Sequence, residues 1–230
     1  VEEPEETLDV VIAQPNINPY NKFGGMSQDQ QNIILLKQFS NLPKDAPLLL
    51  IAPETFTSDV ILNDLNVSPT FSQFRMFLGR HQNANSLFGA SALTYYEKLD
   101  KPSNLVRKVN NTEMYVGSHN TSIMMDDFSH VSLYYKSKLV VGVESMPYPK
   151  IFGPIDDMLG GVMGRNIGQK TVTNHEVTVC DSLGNILRTI PVGCAICYES
   201  VYGEHCAEYV RKGARFLTVI TNDAWWGDTP

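Results

Sequence analysis

Apolar and polar positions along this chain switch repeatedly between a strand-like and a helix-like period. Residues 8–15 read as a strand stopped at Pro15, followed by an Asn-, Pro- and Gly-rich loop from Asn16 to Gly25. Ser27 is placed to cap a helix reaching about Leu42, with Ile33, Ile34, Leu36 and Phe39 on its apolar side. Residues 48–52 form an unbroken apolar run, the mark of a strand covered on both faces, closed by Pro53-Glu54-Thr55. Ser68-Pro69 opens a second helix extending to Arg80 or His81, with proline in the first turn. Residues 86–95 read as a strand, and 114–125 with 131–135 as a hairpin turning at 126–129. A second hairpin joins 172–180 to 186–190. The series closes with a strand at 192–197, a helix at 201–212 and a strand at 216–221. One long Gly-, Pro- and Met-rich stretch, 142–168, has no period, and loops of that length in a compact domain usually carry function.

Strand–helix alternation with interleaved hairpins predicts an α/β fold with a mixed sheet. There is one domain, residues 8–230, behind a solvated acidic head at 1–7. Composition agrees: 230 residues, 43% hydrophobic and 19% charged, are those of a folded chain with a core of its own. A net charge of −7 excludes nucleic acid as a partner, since phosphate binding needs a basic face. No apolar run reaches the 18 or so residues that span a bilayer.

Four cysteines, Cys180, Cys194, Cys197 and Cys206, are too few for a disulfide framework. Cys194 and Cys197 match C-x-x-C, but their odd spacing on a strand sends the side chains to opposite faces, and no second pair accompanies them. Neither a metal nor a cofactor is implied, and Cys180 and Cys194 read as core residues. Three other positions join a buried strand end to an ionisable group: Glu54, Lys136 and Cys197. Strand ends are where α/β folds build sites. Cys197 stands at a strand-to-helix elbow, where a helix N-terminus favours the nucleophilic thiolate.

The runs Pro53-Glu54, Tyr135-Lys136 and Cys197-Tyr198-Glu199 resemble the Glu–Lys–Cys signature of the nitrilase, or carbon–nitrogen hydrolase, superfamily. Residues 13–17, 136–140 leading to Gly142 and Glu144, 196–200 and 221–228 resemble one branch, the apolipoprotein N-acyltransferases. One departure is visible. That branch has a Val-Pro-Phe-Gly-Glu type segment where this chain has Val140-Val141-Gly142-Val143-Glu144.

The resemblance implies a nitrilase-like four-layer αββα sandwich, with Cys197 as nucleophile, Glu54 as general base and acid, and Lys136 stabilising an oxyanion with the backbone N–H of Tyr198. Glu144 and Glu199 would orient the lysine. It also implies a phospholipid acyl donor, a diacylglyceryl lipoprotein acceptor and a place on the periplasmic side of a bacterial inner membrane, with transmembrane parts and final strands outside this excised domain. Tyr148, Trp225 and Trp226 are candidate lipid contacts. The 142–168 loop reads equally as a lid entering lipid or as a loop packed over the core. Two other functions stay open: a soluble amidase hydrolysing a small amide, and a non-catalytic binding domain of the same fold.

Overall fold

The computed structural model describes residues 7–17, 25–42, 47–100, 102–148 and 164–222. Its framework is a pair of long antiparallel strands that carry shorter strands on either edge. In chain order the elements are β1 (Asp9–Ile12), α1 (Gln28–Gln38), β2 (Leu48–Ile51), β3 (Thr57–Ile61), α2 (Pro69–Leu78), β4 (Ala84–Tyr96), β5 (Arg107–Lys108) and β6 (Tyr115–Asp126). They continue with β7 (Val131–Tyr135), β8 (His175–Cys180), β9 (Ile186–Ile196), α3 (Gly203–Arg211) and β10 (Phe216–Ile220). One sheet runs β1-β2-β4-β6-β5, with β3 also on β4 and β7 also on β6; the other runs β10-β9-β8. Both are mixed. β1, β2 and β3 meet their neighbours in parallel and β4 meets β6 antiparallel, while β9 is parallel to β10 and antiparallel to β8.

Alternation along the strands builds four layers. Leu48 and Leu50 of β2, with Phe88 and Ala90 of β4, join Leu35 and Phe39 of α1 and Phe71, Phe74 and Leu78 of α2 in one core. Leu49, Ile51, Leu87 and Met124 point the other way, toward Val177, Val192, Cys194 and Ile196 of the second sheet. α3 covers the outer face of that sheet. A Cβ at Gly193 would lie 2.8 Å from Tyr209 Cβ, so glycine is what lets helix and strand approach. The Tyr209 hydroxyl donates to the Cys194 carbonyl at 2.7 Å. The order is helices, sheet, sheet, helix: the αββα sandwich.

Ser27 caps α1 as the sequence predicts, in a box with Gln30. The buried face differs. Gln31, Asn32, Leu35 and Phe39 turn inward, and Ile33 is 51% exposed. The reason is a polar seam: Asn32 donates to Thr70 Oγ1 at 2.9 Å, and Asp59 accepts the Thr70 N–H and hydroxyl at 3.0 and 2.8 Å and the Ser68 hydroxyl at 2.9 Å. Asp59 lies on β3, a strand that the hydrophobic pattern does not reveal. β9 is continuous where two strands were expected. Pro191, which lacks a donor, stands just before Val192, the first residue paired with β10, so it interrupts nothing. Among the described residues no helix is long and apolar enough to cross a membrane.

His175 pins the sheets together. Its Nε2 and Nδ1 hydrogen-bond Ser122 Oγ on β6 at 2.8 Å and Ser132 Oγ on β7 at 2.7 Å. Burial holds it neutral, with its pKa lowered to about 4 from 6.5. The unfolded chain therefore binds this proton at higher pH than the folded one. The contribution is complete above pH 6.5 and is lost as pH falls toward 4, by about 3 kcal/mol. Urea midpoints measured between pH 7.5 and 4 should fall accordingly, and His175→Gln should remove that part of the slope.

Candidate active site

Glu54 follows the C-terminal end of β2 in a tight turn whose next residue, Thr55, has φ 43°. β4 accommodates the turn through Gly89, where a Cβ would sit 2.6 Å from Glu54 Cα, and whose N–H donates to the Pro53 carbonyl at 3.0 Å. Lys136 ends β7, its backbone N–H held by the Asn120 carbonyl at 2.8 Å. Cys197 follows the last residue of β9 with φ 51°, a left-handed conformation that costs a non-glycine residue on the order of 1 kcal/mol and marks a constrained elbow.

The three lie around one cavity of about 400 Å³, whose wall also includes Ser91, Asn120, Val140, Val143, Glu144 and Asn166. Buried Lys136 donates to Glu54 Oε1 at 3.2 Å and lies 3.1 and 3.0 Å from Oε1 and Oε2 of Glu144. Burial opposes its charge, but the two carboxylates outweigh burial and the ammonium is held above its ordinary range. Glu144 is fixed in turn by the Val140 N–H at 2.9 Å. The substituted turn at 140–144 thus still delivers its glutamate to the lysine. A second cavity, about 560 Å³, reaches Glu54 from the other side, between Gln14, Asn16, Ile17, Gln31 and Asn222.

Glu199 does not touch the lysine amine. Fully buried, its Oε1 accepts the Tyr134 hydroxyl at 2.7 Å and the backbone N–H groups of Ser137 and Lys138 at 2.8 and 3.1 Å, while Oε2 accepts the Ile196 N–H at 2.9 Å. It braces the residues beside Lys136 against the residue before Cys197. Tyr198 is half exposed and packs edge-on against Tyr202, ring centroids 5.4 Å apart. Tyr148 is exposed, and Trp225 and Trp226 lie outside the described residues. So does most of the 142–168 loop. Its described ends are tied down, with the Asn166 N–H on the Glu144 carbonyl and the Ile167 N–H on the Ser118 carbonyl, both at 2.8 Å.

The Cys197 thiol differs from expectation. Burial and the Glu54 charge push it up, against Thr221 and Lys136, so at neutral pH it is protonated. The elbow opens only a short 3-10 turn, Cys197–Val201, and α3 begins at Gly203, too far along to supply a helix terminus to the sulfur. Cys194 is wholly buried and pushed up to about 12, an inert core thiol.

Asn120, Tyr134 and His205 escaped the sequence reading. Asn120 Nδ2 donates to Glu54 Oε1 at 2.8 Å and to Glu144 Oε1 at 2.6 Å, and His205 Nε2 stands 3.3 Å from Glu199 Oε1. A signal was present: Ser118 to Ser122 is a polar run inside a strand that is otherwise apolar. At the far end of β6, Asp126, His130 and Cys180 also cluster. There Asp126 is already occupied, accepting the Phe128 and His130 N–H groups, the Thr178 hydroxyl and His130 Nδ1.

The sequence profile of the carbon–nitrogen hydrolase family matches residues 27–230. The chain belongs to the carbon–nitrogen hydrolase family. Among curated relatives it is similar to the apolipoprotein N-acyltransferase of Chlorobaculum tepidum, 26% identical over 222 residues, which are 95% of this chain and 40% of that protein. It is also similar to that of Thermotoga maritima, 29% identical over 109 residues, 47% of this chain and 20% of the other. The chain therefore spans less than half the length of these relatives. A solved CN-hydrolase superfamily protein from Xanthomonas campestris overlaps 78% of this chain and 51% of its own at 15% identity and a TM-score of 0.45. An overlap that weak leaves the architecture to be read from the sheets themselves.

Alkylation of Cys197 by iodoacetamide, followed by mass spectrometry against pH, should show a midpoint above the ordinary thiol range. Glu54→Gln should lower it and Lys136→Met should raise it further. Glu199→Ala, which strips an acceptor from the buried Ile196 N–H of β9, from the Ser137 and Lys138 N–H groups just after β7 and from the Tyr134 hydroxyl, should cost about 3 kcal/mol or more in urea unfolding.

Proposed function

We propose that this carbon–nitrogen hydrolase family domain transfers a fatty acyl chain from a phospholipid to the N-terminal amine of an S-diacylglyceryl-cysteine lipoprotein, through a thioester on Cys197. The observation that carries the reading is the single cavity whose wall includes Glu54, Lys136 and Cys197, a carboxylate–ammonium pair beside a protonated thiol. The named relatives give it direction, and so do exposed apolar residues in the two chain segments that contribute Val143 and Cys197 to the cavity wall. Val141 and Val143 are 71% and 74% exposed, and Tyr148, Tyr198, Val201 and Tyr202 are exposed or half exposed as well. Lys138 Nζ stands 5.9 Å from the Tyr202 ring centroid, adding a cation to that surface. Apolar and aromatic groups beside a lysine suit the boundary between acyl chains and headgroups. On this reading the domain works against the outer face of a bacterial inner membrane.

The chemistry follows from the charge states. Glu54 takes the Cys197 proton as sulfur attacks the ester carbonyl, and the new oxyanion is stabilised by the Lys136 ammonium. Collapse breaks the ester C–O bond. Glu54 returns its proton to the departing lysophospholipid alkoxide, leaving the acyl group on sulfur. The lipoprotein amine then attacks the thioester and gives a proton to Glu54. Collapse of the second oxyanion forms the amide and expels the thiolate, which is reprotonated. Lys136 keeps its proton throughout, because two carboxylates hold its charge.

Intact-mass spectrometry after incubation of the full-length protein with phospholipid vesicles should show an acyl adduct on Cys197, absent in Cys197→Ala. Glu54→Gln should form it at least about 100-fold more slowly. Hydrolysis of small amides with no adduct from phospholipid would replace this reading with that of an amidase. Absence of both activities would leave a binding domain.

A further inference from the structure

We infer that Asn120 is a positioning residue that commits one oxygen of Glu54 to structure and leaves the other, Oε2, to exchange protons with Cys197. The amide nitrogen of Asn120 donates to Oε1 of Glu54 at 2.8 Å and to Oε1 of Glu144 at 2.6 Å. Its two N–H bonds are therefore divided between two carboxylates. Both partners can only accept while ionised, so the amide cannot be flipped. Its own oxygen is buried and has no hydrogen-bond partner among the described residues. Leaving a carbonyl unpaired in the interior is unfavourable, and the side chain adopts that orientation because its donors are required. Lys136 donates to the same Glu54 oxygen at 3.2 Å. Among the described residues the amide and ammonium donors to this carboxylate thus both fall on Oε1.

The two donors together solve a problem of like charge. Glu54 and Glu144 stand on either side of one ammonium, and two neighbouring carboxylates that share a single cation repel each other. The Asn120 amide adds a second, uncharged bridge between them. It compensates both carboxylates without adding charge near the sulfur and without competing for Oε2. It also braces the lysine, whose backbone N–H rests on the Asn120 carbonyl. The residue thereby supports the base and the cation from one strand position, opposite Ser91 of β4.

The inference rests on the acyl-transfer reading for its turnover arm only, and Cys197 alkylation tests it separately. With the full-length protein and phospholipid vesicles, Asn120→Ala should lower the rate of thioester formation about 100-fold and leave the KM for phospholipid nearly unchanged. In the isosteric Asn120→Asp, the added negative charge should raise the pH midpoint of Cys197 alkylation by about one unit. Thioester formation at the parental rate in Asn120→Ala would overturn the inference, as would an unmoved alkylation midpoint in Asn120→Asp. Loss of the native circular dichroism spectrum in both variants would overturn it too, because the amide would then be holding the fold instead of the carboxylates. If no phospholipid acylates the parent protein, the function proposed above fails while the alkylation shift still decides the role of Asn120.

Discussion

The site depends on a carboxylate that never meets the reacting groups. Glu199 lies with no exposed surface between the ends of β7 and β9, which belong to different sheets. Strand ends leave backbone N–H groups with no partner in their own ladder. A carboxylate buried among them gains charge-assisted hydrogen bonds that offset its desolvation. Ser137 and Lys138 supply N–H groups from the lysine side and Ile196 from the cysteine side. The spacing of Lys136 from Cys197 is thereby set by short bonds to one rigid group, and not by the packing of two large sheets. Tyr134 and His205 close around the same oxygen, so the brace is continuous with the core and with α3.

Within that frame the charges are arranged for proton transfer. One ammonium lies among two carboxylates and a thiol, with Lys136 and Glu54 buried and Glu144 and Cys197 partly so, and there each interaction is stronger than at a surface. The lysine is the best-compensated member, so it acts as a fixed charge. The thiol is the least compensated and is protonated at neutral pH. A resting thiolate would be exposed to adventitious electrophiles. A thiol activated by its neighbouring carboxylate becomes nucleophilic only as the proton is taken.

Much of this was legible in the sequence, for identifiable reasons. Glu54, Lys136 and Cys197 each follow an apolar run, and such runs end where sheets end. The capping residue Ser27, the proline start of α2 and the hairpin around 126–129 are local chemistry that tertiary contacts left intact. What was missed depends on partners far along the chain. Ile33 faces water because Asn32 reaches Thr70, and Asp59 ties β3 to the start of α2 through Ser68 and Thr70. The protonated thiol reflects its burial and then the charge of Glu54, 143 positions away. Asn120 was hidden for the same reason: its role lies in two carboxylates brought to it from opposite directions.

The division between interior and lip bears on specificity. Asn120 in the middle of β6, Lys136 just after β7 and the Val140 N–H of the 140–144 turn donate to the carboxylates of Glu54 and Glu144, while Val141 and Val143 beside them are exposed. The turn that departs from the related branch is the place where the two meet. Its backbone N–H at Val140 holds Glu144, while its side chains at Val141 and Val143 stand in solvent. Substitutions at those two positions can change what the mouth of the cavity receives without disturbing the charges behind it. On the acyl-transfer reading an amine and water compete for the same thioester carbonyl, so what the lip admits and what it keeps out bears on the choice of acceptor. On that reading an apolar lip would favour an acceptor that carries lipid of its own and slow the approach of water.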